Sequence, residues 1–162
     1  MNRDTPGARC GVQDRVQWAD GVCEWFPPGA MRRWGLDSDN LRAINPRVIA
    51  LSTCLFGQTG PYAAVAGFGT MGAAVGGFIQ LAGYPDRAPT GPAGAYTDYV
   101  APRFTVAVLL AALDHQRRTG KGQYIDQSQT EASPHFLTPA LPGSAEGRRV
   151  GKECRPRRPP AH

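Results

Sequence analysis

A chain of 162 residues, 41% of them hydrophobic, is long enough for one domain with a sizeable core, while its 20 glycines and 15 prolines imply many turns. Residues 143–162 hold six of the 18 basic side chains (Arg148, Arg149, Lys152, Arg155, Arg157, Arg158) and only two of the 13 acids (Glu146, Glu153), leaving 12 basic and 11 acidic residues in 1–142. The net charge of +5 therefore belongs to the tail, and the body lacks the spread of cations that a nucleic-acid face requires.

Other classes are excluded on similar grounds. The longest apolar run, Phe104 to Leu113, is far short of the ~18–20 residues that span a bilayer. No basic–apolar–small leader opens the chain, so a cytoplasmic location without membrane contact is the expectation. Cys10, Cys23, Cys54 and Cys154 are widely spaced and form no C-x-x-C pair, which gives neither a disulfide framework nor a zinc site, and no metal is expected.

Taken in chain order, Val12 to Ala19 reads as the end of a helix. In FPPGAMRRWGL, Pro28 can start a short helix that Gly35 stops. Asp37 and Ser38 are N-cap types for a helix over 39–44, closed by the turn pair Asn45-Pro46. VIALST (48–53) is a short apolar run with β-branched residues, the pattern of a buried parallel strand. GQTGPY (57–62) is a loop by composition. Residues 67–82 read as one closely packed helix weakened by internal glycines. After an irregular Pro-rich connection (83–94), residues 103–119 form the clearest helix, with Pro102 in its first turn. That helix is apolar nearly all round to Leu113, then cationic at Arg117 and Arg118, with Gly120 just past its end. A short strand at 124–126 and a helix start over 129–137 follow. One clear strand is too little sheet for a complete α/β domain, so the pattern predicts an incomplete α/β unit with a long helix.

Three motifs invite chemistry. GFGTMG (67–72) satisfies G-x-G-x-x-G, with Asp86 19 residues after Gly67, but a dinucleotide site needs the motif directly after a strand, and a long loop intervenes. Close helix packing accounts for the glycines better. GQTGP (57–61) could turn backbone N–H groups toward an anion, although an ordinary turn is the commoner use. In GAYTDYVAPRF (94–104), Asp98 is either a helix cap or a carboxylate nucleophile whose anion the helix dipole favours. Thr97 could cap equally well. Asp114 and His115 read as a solvated face, and neither they nor His135 supply Asp98 with a base.

Read together, INPR-x-I-x-x-S, G-x-TGPY, GYPD-x-P and RRTGKGQ-x-ID, in this order between about Trp18 and Leu141, resemble the class III CoA-transferases. That group includes formyl-CoA:oxalate and carnitine CoA-transferases and the 2-methylacyl-CoA racemases. The resemblance implies a partial Rossmann-like large domain and coenzyme A, as acyl-CoA, for its substrate. Asp98 occupies the family's nucleophile position, ahead of the long helix. By resemblance its carboxylate moves CoA between carboxylic acids through covalent aspartyl intermediates. CoA contacts are implied at Phe26, Gly29, Ala30 and Arg33, although Trp25 stands where the family has Asn. Racemase members carry His where this chain has Phe68, which makes racemization the alternative, beside a non-catalytic CoA- or dinucleotide-binding fragment.

Family members are longer and form interlocked homodimers. The expectation is therefore that residues 1–142 are a central fragment of a CoA-transferase large domain, inactive alone, with Met1 an internal start. Residues 143–162 depart from the family pattern and read as a disordered basic tail or translated sequencing adapter.

Overall fold

The computed structural model describes residues 6–82, 86–92 and 94–139. Three parallel strands, β1 (Gly21–Glu24), β2 (Ile49–Cys54) and β3 (Tyr124–Ser128), form a sheet in the order β1-β2-β3. The register pairs Glu24 with Ser52 and Cys54 with Ser128, so the carboxyl ends of all three strands rise on one edge. An α/β unit with a small parallel sheet is what the sequence pattern predicted, with two differences in the sheet. β1 was not anticipated, because GVCE is too short to show a period, and β3 runs two residues beyond 126.

Helices cover both faces of the sheet. On one, α1 (Pro6–Trp18) and α3 (Ser38–Ile44) pack so that Val16, Leu36, Leu41, Val48 and Ala50 form a buried cluster. Ala50 faces this cluster, and strand alternation turns Ile49 and Leu51 to the other face, which leaves β2 buried on both sides. Burying side chains of this size contributes about 1.5–3 kcal/mol each. The start of α3 matches its sequence signature: Asp37 Oδ1 accepts from the Asp39 and Asn40 amides at 3.2 and 3.3 Å. Short α2 (Ala30–Arg33) sits between β1 and α3.

The second layer consists of α4 (Gly69–Val75), α5 (Phe78–Leu81), the long α6 (Tyr96–Thr119) and α7 (Gln129–Ala132), followed by a 3-10 turn over Ser133–Leu137. The single helix expected over 67–82 is broken into α4 and α5 at Gly77, whose φ of 88° is left-handed and ends the first helix. Likewise α6 starts seven residues before Arg103, so Pro102 lies inside it rather than in its first turn. Residue 102 then has no N–H for the Asp98 carbonyl, four residues back, which loosens the first turn. The C-terminus follows expectation: Gly120, at φ 71°, donates to the Gln116 carbonyl at 2.8 Å.

The face α6 turns inward is not its most apolar one. Thr97, Val100, Ala101, Ala112 and Gln116 are buried, whereas Val106 (56% exposed) and Leu110 (61%) face outward. Small residues let the helix lie close to its neighbours, and two buried glutamines dock it. Gln127 of β3 donates to the Ala101 carbonyl (3.2 Å) and accepts from Thr105 (2.8 Å). At the far end, Gln116 donates to the Arg47 and Asp20 carbonyls (2.6 and 3.2 Å). Among the described residues no helix is long and apolar enough to cross a membrane. The tail reading for 143–162 lies outside the described residues.

Candidate functional site

In open parallel sheets, ligands gather at the carboxyl edge, where strands end and loops diverge. Here that edge holds a cavity of about 430 Å³. One wall is the strap after β1 (Trp25, Pro27, Pro28), and its floor is the end of β2 (Thr53, Cys54). The loop 63–68 closes a second side, and Asp98 stands at the rim beside Gln129. The lining is mostly apolar with one carboxylate.

Asp98 is the third residue of α6 and exposed. Its own N–H donates to the Ala95 carbonyl (3.0 Å), and its side chain makes no capping bond, so the structure does not use it as the cap the sequence allowed. The preceding Thr97 is fully buried and donates to the Gly69 carbonyl (3.1 Å), which pins α6 to α4. Gly69 is a residue that sequence reasoning missed as part of the site. A Cβ there would lie 2.8 Å from the Asp98 carboxyl carbon and 2.8 Å from the Ala95 carbonyl oxygen. Glycine at 69 therefore makes room for the carboxylate. The same crowding explains GFGTMG: a Cβ on Gly72 would lie 2.8 Å from the Thr97 hydroxyl. The motif serves helix packing, and β2 ends at Cys54, well before Gly67, so the strand-to-helix junction of a dinucleotide site is absent here. Asp86 is exposed and ion-pairs with its neighbour Arg87 at 3.9 Å.

The four residues assigned to CoA contacts fall in and beside the strap. Phe26 packs edge-on against Trp34 (5.1 Å between centroids) and lines a neighbouring cavity with Met31. Gly29 takes a left-handed φ of 76° and lines a third cavity, under the strap. Ala30, 3% exposed, is core. Arg33 is exposed, and its guanidinium bends back so that a Cβ on Gly29 would lie 3.7 Å from Nη1. None of the four borders the cavity at Asp98; their neighbours Trp25, Pro27 and Pro28 do.

Beneath the strap lies a polar cluster that sequence reasoning also missed. Glu24, buried at the end of β1, accepts the Phe26 N–H at 2.6 Å. Gln58, in the GQTGPY loop, gives its backbone N–H to both carboxylate oxygens of Asp126 (2.9 and 3.0 Å). That amide is thus occupied by the chain's own carboxylate and is not offered to an external anion. Burial pushes the Cys54 thiol above its ordinary value; Gly57 opposes this through a backbone hydrogen bond, while nearby Asp126 and Glu24 add to it. It stays a thiol at neutral pH. His135 packs tilted against Phe104 (4.9 Å between centroids) and does not line the cavity at Asp98, and Asp114 pairs with Arg118 on the surface at 3.6 Å. Among the described residues no group of three His, Cys, Asp or Glu could hold a metal ion.

These features define an incomplete α/β unit with an apolar cleft at the carboxyl edge of its parallel sheet and a single carboxylate lining it. The chain belongs to CoA-transferase family III, whose sequence model matches residues 2–161. It is 41% identical over 122 residues to succinyl-CoA–D-citramalate CoA-transferase of Chloroflexus aurantiacus, covering 75% of this chain and 30% of that protein. It is 37% identical over 142 residues to acetyl-CoA:oxalate CoA-transferase of Acetobacter aceti, covering 87% and 36%. A CAIB/BAIF family protein from Brucella suis superposes with a TM-score of 0.85 at 37% identity, over 91% of this chain and 39% of that one. The chain thus spans about a third of the length of the curated relatives it matches.

Proposed function

We propose that this chain carries the nucleophile and part of the acyl-CoA cleft of an enzyme that moves CoA between carboxylic acids. The observation that carries the reading is the placement of Asp98 at the rim of the cleft formed by the strap and the end of β2. In this reading the Asp98 carboxylate attacks the thioester carbonyl, the C–S bond breaks, and CoA thiolate leaves behind a mixed anhydride. The thiolate then attacks the aspartyl carbonyl and expels the donor acid, giving an aspartyl-CoA thioester. The acceptor carboxylate attacks that thioester, and returning thiolate takes its acyl group and frees Asp98. Each exchange passes through a covalent intermediate, and no general base is needed, because every nucleophile is already an anion.

The apolar cleft suits the pantetheine arm of CoA. Phe26 and Arg33 would contact CoA through their side chains, Arg33 by pairing with a phosphate. Gly29 would do so through its open backbone, and buried Ala30 would act through packing alone. The relatives' names point to a short dicarboxylic acid, such as succinate, malate or oxalate, as donor or acceptor. The exposed apolar stripe on α6 and the limited length of the match support two further parts of the reading. The chain alone does not turn over, and the working enzyme is a homodimer that buries this stripe.

The test uses succinyl-CoA and hydroxylamine, which intercepts acyl-aspartate as a hydroxamate readable by mass spectrometry. The expected label sits on Asp98 and is absent from Asp98→Ala. In a chimera carrying residues 18–141 in the matching third of the Chloroflexus enzyme, turnover is expected and Asp98→Ala lowers it at least about a thousandfold. A folded chimera that keeps its rate after Asp98→Ala would refute the proposal.

A further inference from the structure

We infer that Gln58 is a positioning residue: with Glu24 and Asp126 it clamps the Phe26 backbone and so sets the strap against Asp98. The inference rests on the reading of this cleft as the acyl-CoA site.

The strap has few handles of its own. Pro27 and Pro28 carry no N–H, so within 26–28 Phe26 is the sole backbone donor. The structure holds that residue's backbone on both sides of its Cα. Its N–H donates to Glu24 Oε2 at 2.6 Å, and its carbonyl accepts from Gln58 Nε2 at 3.3 Å. The same Nε2 donates to Glu24 Oε1 at 3.4 Å and passes 3.8 Å from Cys54 Sγ. Because the Phe26 carbonyl and the Glu24 carboxylate are both acceptors, only the NH₂ end of the Gln58 amide satisfies them.

Gln58 is itself held. Its backbone N–H donates to both Asp126 oxygens, and a Cβ on neighbouring Gly57 (φ 80°) would crowd Asp126 Oδ1 at 3.4 Å. Glu24 ends β1, Cys54 ends β2 and Asp126 lies in β3, so this one residue ties all three strands to the strap: its side chain reaches Glu24, Cys54 and Phe26, and its backbone N–H reaches Asp126. Glu24 is 6% exposed, and a carboxylate buried to that degree must be hydrogen-bonded; the strap amide and Gln58 supply those bonds. Gln58 borders the cavity beneath the strap and not the one at Asp98, so its action is through the strap.

The test compares the full chain with Gln58→Met, which keeps the volume and removes the donor. Amide hydrogen exchange by NMR is expected to show Phe26 protected in the wild type. In the variant it exchanges about tenfold faster, the equivalent of one hydrogen bond, while the β2 amides of Ala50 and Leu51 change less than about twofold. Titrated CoA is expected to bind about tenfold more weakly to the variant. An unprotected Phe26 amide in the wild type, or one indifferent to Gln58→Met, overturns the clamp. Should Gln58→Met fail to fold, Gln58→Asn, too short to reach Phe26, is read the same way beside the wild-type measurement. If Phe26 responds but the wild type does not bind CoA, the clamp stands and the acyl-CoA reading fails.

Discussion

The two edges of the three-stranded sheet are built to opposite ends. At the amino edge, hydrogen bonds and backbone contact hold the chain close. Asn45 donates to the Val16 and Ala19 carbonyls (3.0 Å each), Gln116 seals the Arg47 and Asp20 carbonyls, and the Gly122 backbone lies against Val48. At the carboxyl edge the chain stays open: loops carry the polar groups, glycine makes room for a carboxylate, and a cleft remains. One edge is tied together by buried hydrogen bonds, and the other keeps an open cleft lined by Asp98. Substitutions at the first should therefore cost stability, and those at the second should cost local order and reactivity.

The largest expected effect is at Gly122. A Cβ there would overlap the Val48 carbonyl, a backbone group that cannot step aside, and the Gly122 amide donates to Pro46 (2.9 Å). Gly122→Ala should destabilise by about 3 kcal/mol or more, the upper range for overpacking, as measured by urea denaturation. Next is Gln116→Leu, which removes a buried donor from the Arg47 carbonyl at 2.6 Å; the expected loss is about 1–3 kcal/mol. If either variant unfolds at the wild-type midpoint, the amino edge is not the stabilising one.

At the open edge, Gly69→Ala should separate the two effects. Helix propensity favours alanine by less than about 1 kcal/mol at this first position of α4, and the Ala95 carbonyl and the Asp98 carboxylate stand in its way. The expected net loss of stability is about 1–2 kcal/mol, with a larger fall in hydroxamate formed at Asp98. Unchanged trapping would show that Gly69 does not place the carboxylate.

The smallest effect is at the Asp37 cap. Burial would raise its carboxyl, but hydrogen bonds from the Asn40 side chain and from the Asn40 and Asp39 amides hold it below the ordinary carboxylate value. A carboxyl lowered on folding stabilises above its unfolded pKa, and that contribution fades as pH falls through its folded value. Asp37→Ala should therefore cost about 1 kcal/mol at pH 7, and the gap to wild type should shrink below about pH 4. A gap independent of pH would remove the carboxylate from the cap.

Legibility followed the range of the interaction. The α3 cap, the Gly120 stop and the central strand around Ile49 are encoded within a few residues, and they stand where the sequence placed them. The start of α6 was misjudged because Pro102 suggests a first turn, while the buried Thr97–Gly69 bond carries the helix further back. Strand β1 gave no signal, since four residues cannot show a period and its stability comes from pairing with β2. At the site, Asp98 was visible through its motif. Glu24, Gln58 and Asp126 were not, because residues 34 and 68 positions apart in sequence meet only in space.

By itself the sequence determined the class of this protein: a short-range order of caps, turns and family motifs, with one carboxylate near the start of a long helix. Only the tertiary structure decided what that carboxylate faces and how its surroundings are held. Local propensities and motifs act over a few residues, whereas the cleft, the room at Gly69 and the Gln58 clamp exist only once three strand ends are brought to one edge.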